Sequence, residues 1–280
     1  MRKSLALGLI LAASAMASSP SRAGAQSLSV KGSDTMLQLG QGWAAAYMKA
    51  RPGRIVTVTG GGSTTGIAAL INGSCDVANS SRAMRPSEVD KAKARGFVPV
   101  EFSVARDGLA IIVNPRNPIS KISMEQLRGI YSGAIKNWSQ VGGPNQAIIA
   151  VGRDSSSGTY GFFQDTVLRA GPYRSDMQTT PSTNVIGLTV SQDLGAIGYV
   201  GVAYALAFGN KVKILPVSSG RGAPVPPTEE NVRNGKYPLW RYLYAYTRGR
   251  PSGIVKDYVD WVLSAGGQAV VEQVGYYRVR

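Results

Sequence analysis

The sequence contains no histidine, a single cysteine (Cys75) and, beyond its first residues, no apolar run long enough to cross a membrane. Without histidine the chain lacks the usual base of Ser-His-Asp and Cys-His nucleophiles, and most zinc and iron sites lose their imidazole ligand. A lone cysteine excludes a disulfide within the monomer, and its position before Asp76 favours a buried structural thiol. We therefore predict no catalytic residues, no metal and no cofactor.

The first 25 residues have the composition of a secretory signal peptide. A basic start, Met1-Arg2-Lys3, precedes the apolar stretch 5–17, and Ala23-Gly24-Ala25 fits a small-x-small cleavage site. The apolar stretch is too short for a membrane span. We predict cleavage near Ala25 and a mature protein in a bacterial periplasm.

The chain is strongly basic, with 31 Lys and Arg against 16 Asp and Glu and a formal net charge of +15. It stays basic without the three cations of the signal peptide. The basic residues are scattered and do not form the runs of about five to eight that bind nucleic acid. We therefore expect a surface that attracts small anions and no nucleic-acid partner, the alternative being a purely colloidal role of the charge.

Three hydroxyl-rich loops each follow a predicted strand and precede a predicted helix. They are 32–35 (GSDT), 60–66 (GGGSTTG) and 153–159 (RDSSSGT). Helix N-termini carry unpaired N–H groups and a positive partial charge, and arginine adds a planar fork that matches two oxygens of an oxyanion. One such loop alone is typical of a simple helix cap. Three of them predict an anion cage, and none has the spacing of a nucleotide-binding loop.

Strand and helix patterns alternate along the chain, which predicts an α/β fold with largely parallel pairing. In such sheets ligands bind beyond the carboxyl ends of the strands, where all three loops lie. The pattern further predicts helices at 86–95 and 123–132, the latter opening with a Ser123–Gln126 capping box, strands at 108–114 and 211–217, a loop over 218–238 and a final helix at 251–263.

Several segments together resemble the phosphate-binding proteins of bacterial phosphate ABC transporters, the PstS family. The resembling segments are 32–36 (GSDTM), 60–66, 76–82 (DVANSSR), 153–159, 195–199 (GAIGY) and 237–241 (YPLWR). The resemblance implies a type II periplasmic binding-protein fold, with two α/β lobes joined by two crossover segments and a phosphate held in the cleft. We place one lobe at residues 26–106 plus 234–280 and the other at 107–233.

The resemblance also implies a set of phosphate-binding residues. It assigns the Thr35 hydroxyl, the Met36 N–H and Ser63 to one side of the cage. To the other side it assigns the third loop, of which the contacting members are Arg153, Ser157, Gly158 and Thr159. Asp154 or a neighbour is expected to brace the arginine.

One position departs from the best-studied members of that family. Ser81, followed by Arg82, stands where those members carry an aspartate that accepts a phosphate proton. We include both residues in the predicted site and nominate Asp34 as the proton acceptor, with a plain helix cap as the alternative for Asp34. An interlobe or surface salt bridge is the alternative for Arg82.

The resemblance implies a monomeric periplasmic protein that captures inorganic phosphate and delivers it to the permease of an ABC transporter. Sulfate or another tetrahedral oxyanion is the alternative ligand. A secreted phosphoester hydrolase using Ser157 or Ser63 is the alternative from another class, although no SxxK pair in the loops replaces the missing histidine. A protein that only senses or scavenges phosphate is the third reading.

Overall fold

Strands and helices alternate along most of the chain, as the sequence predicts. The structure is a computed structural model that describes residues 26–220 and 222–279; the predicted signal peptide lies outside these residues. The strands are β1 (Gln26–Gly32), β2 (Arg54–Thr59), β3 (Val77–Ser80), β4 (Val100–Val113), β5 (Ile122–Ser123), β6 (Ile149–Arg153), β7 (Gln178–Thr180), β8 (Ala196–Gly201), β9 (Lys213–Leu215), β10 (Val217–Ser218) and β11 (Trp240–Thr247).

The α-helices pack on the faces of these strands. They are α1 (Leu37–Ala50), α2 (Ser63–Asn72), α3 (Pro86–Ala94), α4 (Met124–Ser132), α5 (Gly158–Thr166), α6 (Thr183–Gln192), α7 (Val202–Phe208), α8 (Glu229–Arg233), α9 (Gly253–Leu263) and α10 (Ala265–Val274). Short 3-10 turns lie at Asp34–Met36, Trp138–Val141 and Gly209–Lys211. No helix within residues 26–220 and 222–279 has the length and apolar character needed to cross a membrane.

One sheet runs through the molecule in the order β2-β1-β3-β11-β4-β8-β6-β7, with β9 added beside β4. Its two ends are parallel, because β1 pairs with β2 and β3 in one direction and β6 pairs with β7 and β8 in the other half. The centre is antiparallel: β11 opposes both β3 and β4, and β4 opposes β8. The prediction of largely parallel pairing is therefore wrong for the centre of the sheet. The physical reason is that β4 leaves the first half of the sheet whereas β11 returns to it, so they run in opposite directions.

Strand β4 joins the two halves of the sheet. It pairs with β11 over residues 100–108 and with β8 and β9 over 109–113. The expected strand at 108–114 is only the second half of this longer strand. Its first half escaped prediction because charged and polar residues interrupt the apolar run there, at Glu101, Ser103, Arg106 and Asp107.

Separate hydrophobic cores lie under the two halves. One contains residues of β1, α1, α9 and α10, and another contains residues of α4, α5, β6 and β8. Helix α7 contacts two cores, since Val202 and Ala203 pack into the first and Tyr204 and Ala205 into a third cluster around α6. This arrangement is the mixed α/β, two-lobe architecture that the sequence predicts.

Local predictions fare differently. The Ser123–Gln126 capping box is confirmed, with Ser123 Oγ accepting from the Gln126 N–H at 3.0 Å and Gln126 Oε1 accepting from the Ser123 N–H at 2.9 Å. Cys75 is free and buried, as expected, and burial raises the pKa of its thiol to about 11. The predicted strand at 211–217 is broken at Pro216, which has no N–H to donate.

The C-terminal predictions need two corrections. The loop predicted at 218–238 contains the short helix α8, whose first turn is capped by the Thr228 hydroxyl. Helix α9 is not the final helix, because Ser264 caps a further helix, α10. The pair Gly266-Gly267 reads as a helix breaker, but a methyl group at Gly267 would lie 2.3 Å from the Val262 carbonyl oxygen. Close packing of α10 on the end of α9 therefore requires glycine there.

Candidate functional site

The hydroxyl-rich loops meet where the two halves of the sheet face each other. Thr35 Oγ1 lies 2.8 Å from Thr159 Oγ1, and Ser81 Oγ lies 3.3 Å from the same Thr159 oxygen. Ser63 Oγ lies 3.3 Å from Ser81 Oγ and also accepts from the Ser81 N–H at 3.0 Å. All four side chains are buried. We call Thr35, Ser63, Ser81 and Thr159 the hydroxyl cluster; every member was predicted as a site residue.

The parallel strands explain why three members come together. Strands β2, β1 and β3 are neighbours, so their carboxyl ends deliver the 3-10 turn at Asp34–Met36, the start of α2 and Ser81 to one edge of the sheet. Strand β6 delivers the fourth member from the opposite half, through the loop that begins α5. Side chains 124 positions apart in the chain, Thr35 and Thr159, thereby touch.

Two glycines let the halves approach closely. A methyl group at Gly158 would lie 2.3 Å from Ser63 Oγ and 2.7 Å from Ser81 Oγ. Gly62 has φ of 101°, and a methyl group there would lie 2.4 Å from the Ser156 carbonyl oxygen. That same carbonyl accepts a hydrogen bond from the Thr64 N–H at 3.0 Å. The two halves are therefore in direct contact around the cluster.

Ser157 begins helix α5 and orients its first turn. Its Oγ accepts from the Thr159 N–H at 3.1 Å and from the Tyr160 N–H at 3.4 Å. Since both bonds use its lone pairs, the hydroxyl hydrogen stays available for donation. By contrast, the hydroxyl of Ser156 donates to Asp154 Oδ1 at 2.5 Å.

Arg153, the last residue of β6, places a buried guanidinium beside the cluster; its side chain is 1% exposed. Nη1 donates to Thr183 Oγ1 at 2.9 Å and Nη2 to the Pro181 carbonyl at 2.7 Å. The buried Nε–H has no hydrogen-bond partner among the described residues. Burial lowers the pKa of this guanidinium, and the Asp34 carboxylate opposes that shift. The arginine is thus fixed in place through its terminal nitrogens, while its Nε–H keeps no partner among the described residues.

The carboxylate that braces Arg153 is Asp34 rather than Asp154. Asp34 Oδ2 lies 3.3 Å from Arg153 Nη1 and accepts from both the N–H (2.8 Å) and the hydroxyl (2.7 Å) of Thr183. Asp154 is instead bonded to Ser156. The expectation of an Asp154 brace is wrong because the closed contact between the halves brings Asp34, distant in sequence, nearer to the guanidinium.

Arg82 serves the cluster indirectly. Its Nη1 and Nη2 donate to the two carboxylate oxygens of Glu88, each at 2.7 Å, and Nη2 also donates to the hydroxyl of Thr64 at 3.1 Å. Burial alone would raise the pKa of Glu88, but its bonds to Arg82 hold that pKa below the usual value. The terminal nitrogens of Arg82 therefore fix the residue that follows Ser63.

Sequence reasoning missed several residues that support the cluster. Thr183 links Asp34 and Arg153, and the hydroxyls of Tyr204 and Tyr276 donate to the carbonyls of Asp34 and Thr35 at 2.9 and 2.7 Å. For Thr183 a signal existed, since threonine before an apolar run often begins a helix. Nothing in the local sequence indicates what the two tyrosines contact.

A buried ion pair behind the cluster was also missed. Arg241 donates to Asp107 Oδ2 through Nε (2.9 Å) and Nη2 (2.7 Å). A lone aspartate beside an apolar strand segment was the available signal, because buried carboxylates are paired or hydrogen-bonded.

The chemistry of this arrangement is that of a donor-rich anion site. Within the described chain neither Ser63 nor Ser157 bonds to a lysine or carboxylate that could take its proton. Residues 26–220 and 222–279 also contain no group of three or more cysteine or carboxylate side chains positioned to hold a metal ion. Hydroxyls and a guanidinium are the groups that bind oxyanions.

Comparisons with known proteins agree with this geometry. A profile of the PBP superfamily domain matches residues 17–265. The phosphate-binding protein PstS of Pseudomonas aeruginosa is 33% identical over 267 residues, covering 89% of this chain and 82% of the relative. PstS of Bacillus subtilis is 34% identical over 254 residues, covering 90% and 81%.

A solved structure supports the same relationship. A putative phosphate ABC transporter substrate-binding protein from Clostridium perfringens, determined with bound phosphate, matches with a TM-score of 0.82 and 28% identity, over 91% of this chain and all of that one. The resemblance noted in the sequence thus extends across the fold. This protein belongs to the PBP superfamily and, within it, to the PstS family of phosphate-binding proteins.

Proposed function

We propose that this protein binds inorganic phosphate between its two lobes and acts as the substrate-binding component of a phosphate ABC transporter. One observation carries the proposal: the hydroxyl cluster and the buried Arg153 guanidinium converge at the junction of the halves. The named activity of the relatives, phosphate binding, supports the same ligand. Among their names there is no enzymatic activity.

Most of the predicted residues are proposed as ligand contacts, but the Met36 N–H is not, because it donates to the Ser33 carbonyl at 3.1 Å. Thr35, Ser63, Ser81, Ser157 and Thr159 offer hydroxyls, Gly158 offers a backbone N–H at the start of α5, and Arg153 offers its unpaired Nε–H. Arg82 supports this set through its bonds to Glu88 and Thr64. Asp34 braces Arg153 through Oδ2 and is also proposed as a ligand contact, as argued below. A tetrahedral anion has oxygens in four directions, so donors from both lobes can bind it at once.

This sharing of one ligand provides the mechanism of closure. Donors from both halves contact a phosphate together only when the lobes are closed, so phosphate stabilises the closed form over the open one. The contacts between Thr64 and Ser156, and between Asp34 and Thr183, are the protein's own closed-state contacts. We propose lobes of 26–106 plus 234–280 and 107–233, and the first boundary falls inside the shared strand β4.

Selection of phosphate over sulfate requires a proton acceptor, because phosphate at neutral pH carries a proton and sulfate does not. We propose Asp34 as this acceptor. Its Oδ2 is used by Arg153 and Thr183, and its Oδ1 accepts no hydrogen bond within the described residues. Ser81 is the neutral alternative, and it would discriminate less because it adds no charge repulsion against sulfate.

The proposed biological setting follows from the relatives and the leader. We propose export to the periplasm with cleavage near Ala25, a monomeric mature protein, and delivery of phosphate to the membrane permease of an ABC transporter. The names of two relatives support this setting: one is a phosphate-binding protein, and the other is a putative phosphate ABC transporter substrate-binding protein.

Titration calorimetry with phosphate, arsenate and sulfate tests the proposal. We expect saturable binding of phosphate with one site per chain and weaker binding of sulfate. A chain that binds sulfate more tightly than phosphate would contradict the proposed ligand. Incubation with a chromogenic phosphomonoester should release no product, and turnover abolished by Ser157→Ala or Ser63→Ala would indicate a hydrolase instead.

A further inference from the structure

The buried ion pair of Asp107 and Arg241 lies where the two halves of the sheet join. The residues face each other directly on the antiparallel strands β4 and β11, and their side chains are 0% and 3% exposed. Pairing of β4 with β11 ends at residue 108, pairing with β8 begins at residue 109, and pairing with β9 begins at residue 111. The pair therefore occupies the segment through which one lobe leads into the other.

The remaining hydrogen-bonding groups of the pair reach both lobes. Arg241 Nη1 donates to the carbonyl of Ser81 at 3.0 Å, which fixes the peptide that carries one member of the hydroxyl cluster. Asp107 Oδ1 accepts from the N–H of Val202, the first residue of α7, at 2.9 Å. Next to it, a methyl group at Gly201 would lie 3.1 Å from the Thr35 methyl and 3.3 Å from Asp107 Oδ1, so this corner is tightly packed.

The guanidinium of Arg241 also contacts an aromatic ring of the other lobe. The Phe162 ring lies with its centroid 5.1 Å from Arg241 Cζ, a distance at which a cation and an aromatic ring attract each other. Phe162 is on α5, the helix that begins with Gly158 and Thr159. Arg241 thus contacts Ser81, a member of the cluster, in one lobe and Phe162, on the helix that carries Thr159, in the other lobe.

Stability alone does not explain a charge pair at this place. Taking two ions out of water costs several kcal/mol each, and an apolar pair of similar volume is often as stabilising. What a hydrogen-bonded pair adds is orientation, since its donors and acceptors have fixed directions. Here those bonds join the pair to the Ser81 peptide and to the start of α7, while the guanidinium also contacts the Phe162 ring of the opposite lobe.

We propose that Asp107 and Arg241 form a positioning pair that sets phosphate affinity without touching the ligand. Arg241 fixes the position of the Ser81 peptide relative to the other cluster hydroxyls. When the lobes close, it also packs against Phe162 and so helps to position α5. This inference rests on the proposed function, because it concerns the affinity of that site.

Substitution of Arg241 separates positioning from stability. Arg241→Met removes every polar contact, whereas Arg241→Lys keeps a cation for Asp107 but lacks the fork that reaches Ser81 at the same time. Arg174→Met is the matched control, because Arg174 is also mostly buried (7% exposed) and paired with an aspartate, Asp176, yet contacts no member of the cluster.

Phosphate affinity by calorimetry and the urea unfolding midpoint without phosphate are measured for each variant. We expect Arg241→Met and Arg241→Lys to bind phosphate at least fivefold more weakly than wild type. The lysine variant should regain most of the lost unfolding midpoint, and Arg174→Met should keep wild-type affinity. Binding by Arg241→Met within fivefold of wild type overturns the proposal, and so does a lysine variant that regains affinity together with stability.

Phe162→Leu decides the matter if Arg241→Met fails to fold. Phe162 is half-buried at the edge of one hydrophobic core and beside a cavity of about 460 Å³ that Arg241 also lines, so leucine, which keeps an apolar contact there, should lower the unfolding midpoint only slightly. Affinity at least threefold weaker supports the positioning role, and a smaller change rejects it. Wild-type protein that binds no phosphate would reject the proposed function and this inference together, whereas normal wild-type binding with unaffected variants rejects the inference alone.

Discussion

Replacing Arg153 by methionine should weaken phosphate binding more than the loss of any single hydroxyl of the cage. Methionine keeps much of the length and apolar bulk of the side chain but removes the only guanidinium proposed to contact the ligand. The cage hydroxyls are neutral, so none of them brings a positive charge to the anion as the Arg153 guanidinium does.

The magnitude follows from the burial of Arg153. Its side chain is 1% exposed, and Nε–H is the donor without a partner in the described chain. Losing one partner of a buried, hydrogen-bonded charge pair costs about 2–5 kcal/mol. That cost corresponds to a loss of affinity of roughly 30- to 4,000-fold. The upper part of this range applies here, because removal of Arg153 also leaves the carboxylate of Asp34, 3.3 Å away, without its cation.

Calorimetric titration with phosphate at neutral pH measures the effect, and circular dichroism verifies the fold. Arg153→Lys should fall between wild type and Arg153→Met, since lysine retains the charge but not the planar fork. Arg174→Met serves as the control for loss of a mostly buried arginine and should bind normally. A methionine variant that is folded and binds phosphate within threefold of wild type would refute the assignment of Arg153 as a ligand.

Four further substitutions test other parts of the site. Ser157→Ala should weaken phosphate binding by about 1–3 kcal/mol, because it removes one hydrogen-bond donor to the anion. Ser156→Ala should bind phosphate as wild type does in calorimetry, because the Ser156 hydroxyl already donates to the Asp154 carboxylate. A larger loss of affinity for Ser156→Ala than for Ser157→Ala would contradict the assignment of Ser157 as the ligand contact in this loop. Gly158→Ala should abolish measurable phosphate binding while the unliganded protein unfolds at a nearly normal midpoint, since the added methyl would lie 2.3 Å from a hydroxyl of the opposite lobe; tight binding by this variant would argue against closure as described. Glu88→Gln should lower the unfolding midpoint at pH 7, because the bonds to Arg82 hold the pKa of Glu88 in the folded protein below its ordinary value of about 4.5. The difference in midpoint between this variant and wild type should shrink as the pH falls below 4.5 and through the lower pKa of the folded protein. A difference that does not change with pH would show that the charge of Glu88 is not responsible.

Short-range sequence patterns predicted helices and loops well where residues within one turn decide the local backbone. Ser123 and Gln126 form a capping box because both partners lie in the same turn. The hydroxyl-rich loops likewise lie where strand and helix patterns meet. Prediction failed at Pro216, where one proline divided an apolar strand, and at Gly267, where close packing on Val262 requires a residue that reads as a helix breaker.

The residues of the hydroxyl cluster were named from the sequence, but the contacts that hold them were not. Each of the four cluster hydroxyls comes from a loop recognised in the sequence. The sequence offered no reason to pair Asp34 with Arg153 and Thr183, the last of which lies 149 positions away. Which carboxylate braces an arginine depends on distances of a few ångströms between elements of different lobes.

The sequence by itself determined the chemistry of this protein. The absence of histidine excluded the common nucleophile and metal sites, three hydroxyl-rich loops supplied anion donors, and the motifs around them indicated the PstS family. These features depend on residue type and local order, so they persist in any arrangement of the chain.

Only the tertiary structure decided how those donors are held. It gave Asp34 to Arg153, Glu88 to Arg82 and Asp107 to Arg241, and it placed antiparallel strands at the centre of an otherwise parallel sheet. Arg241 reaches the Ser81 carbonyl across 160 positions of sequence. This hydrogen bond forms because β11, near the C-terminus, pairs with β3, near the N-terminus. Hydrogen bonds and ion pairs both require their atoms to lie within a few ångströms of each other, and the local sequence does not set the distance between segments so far apart in the chain.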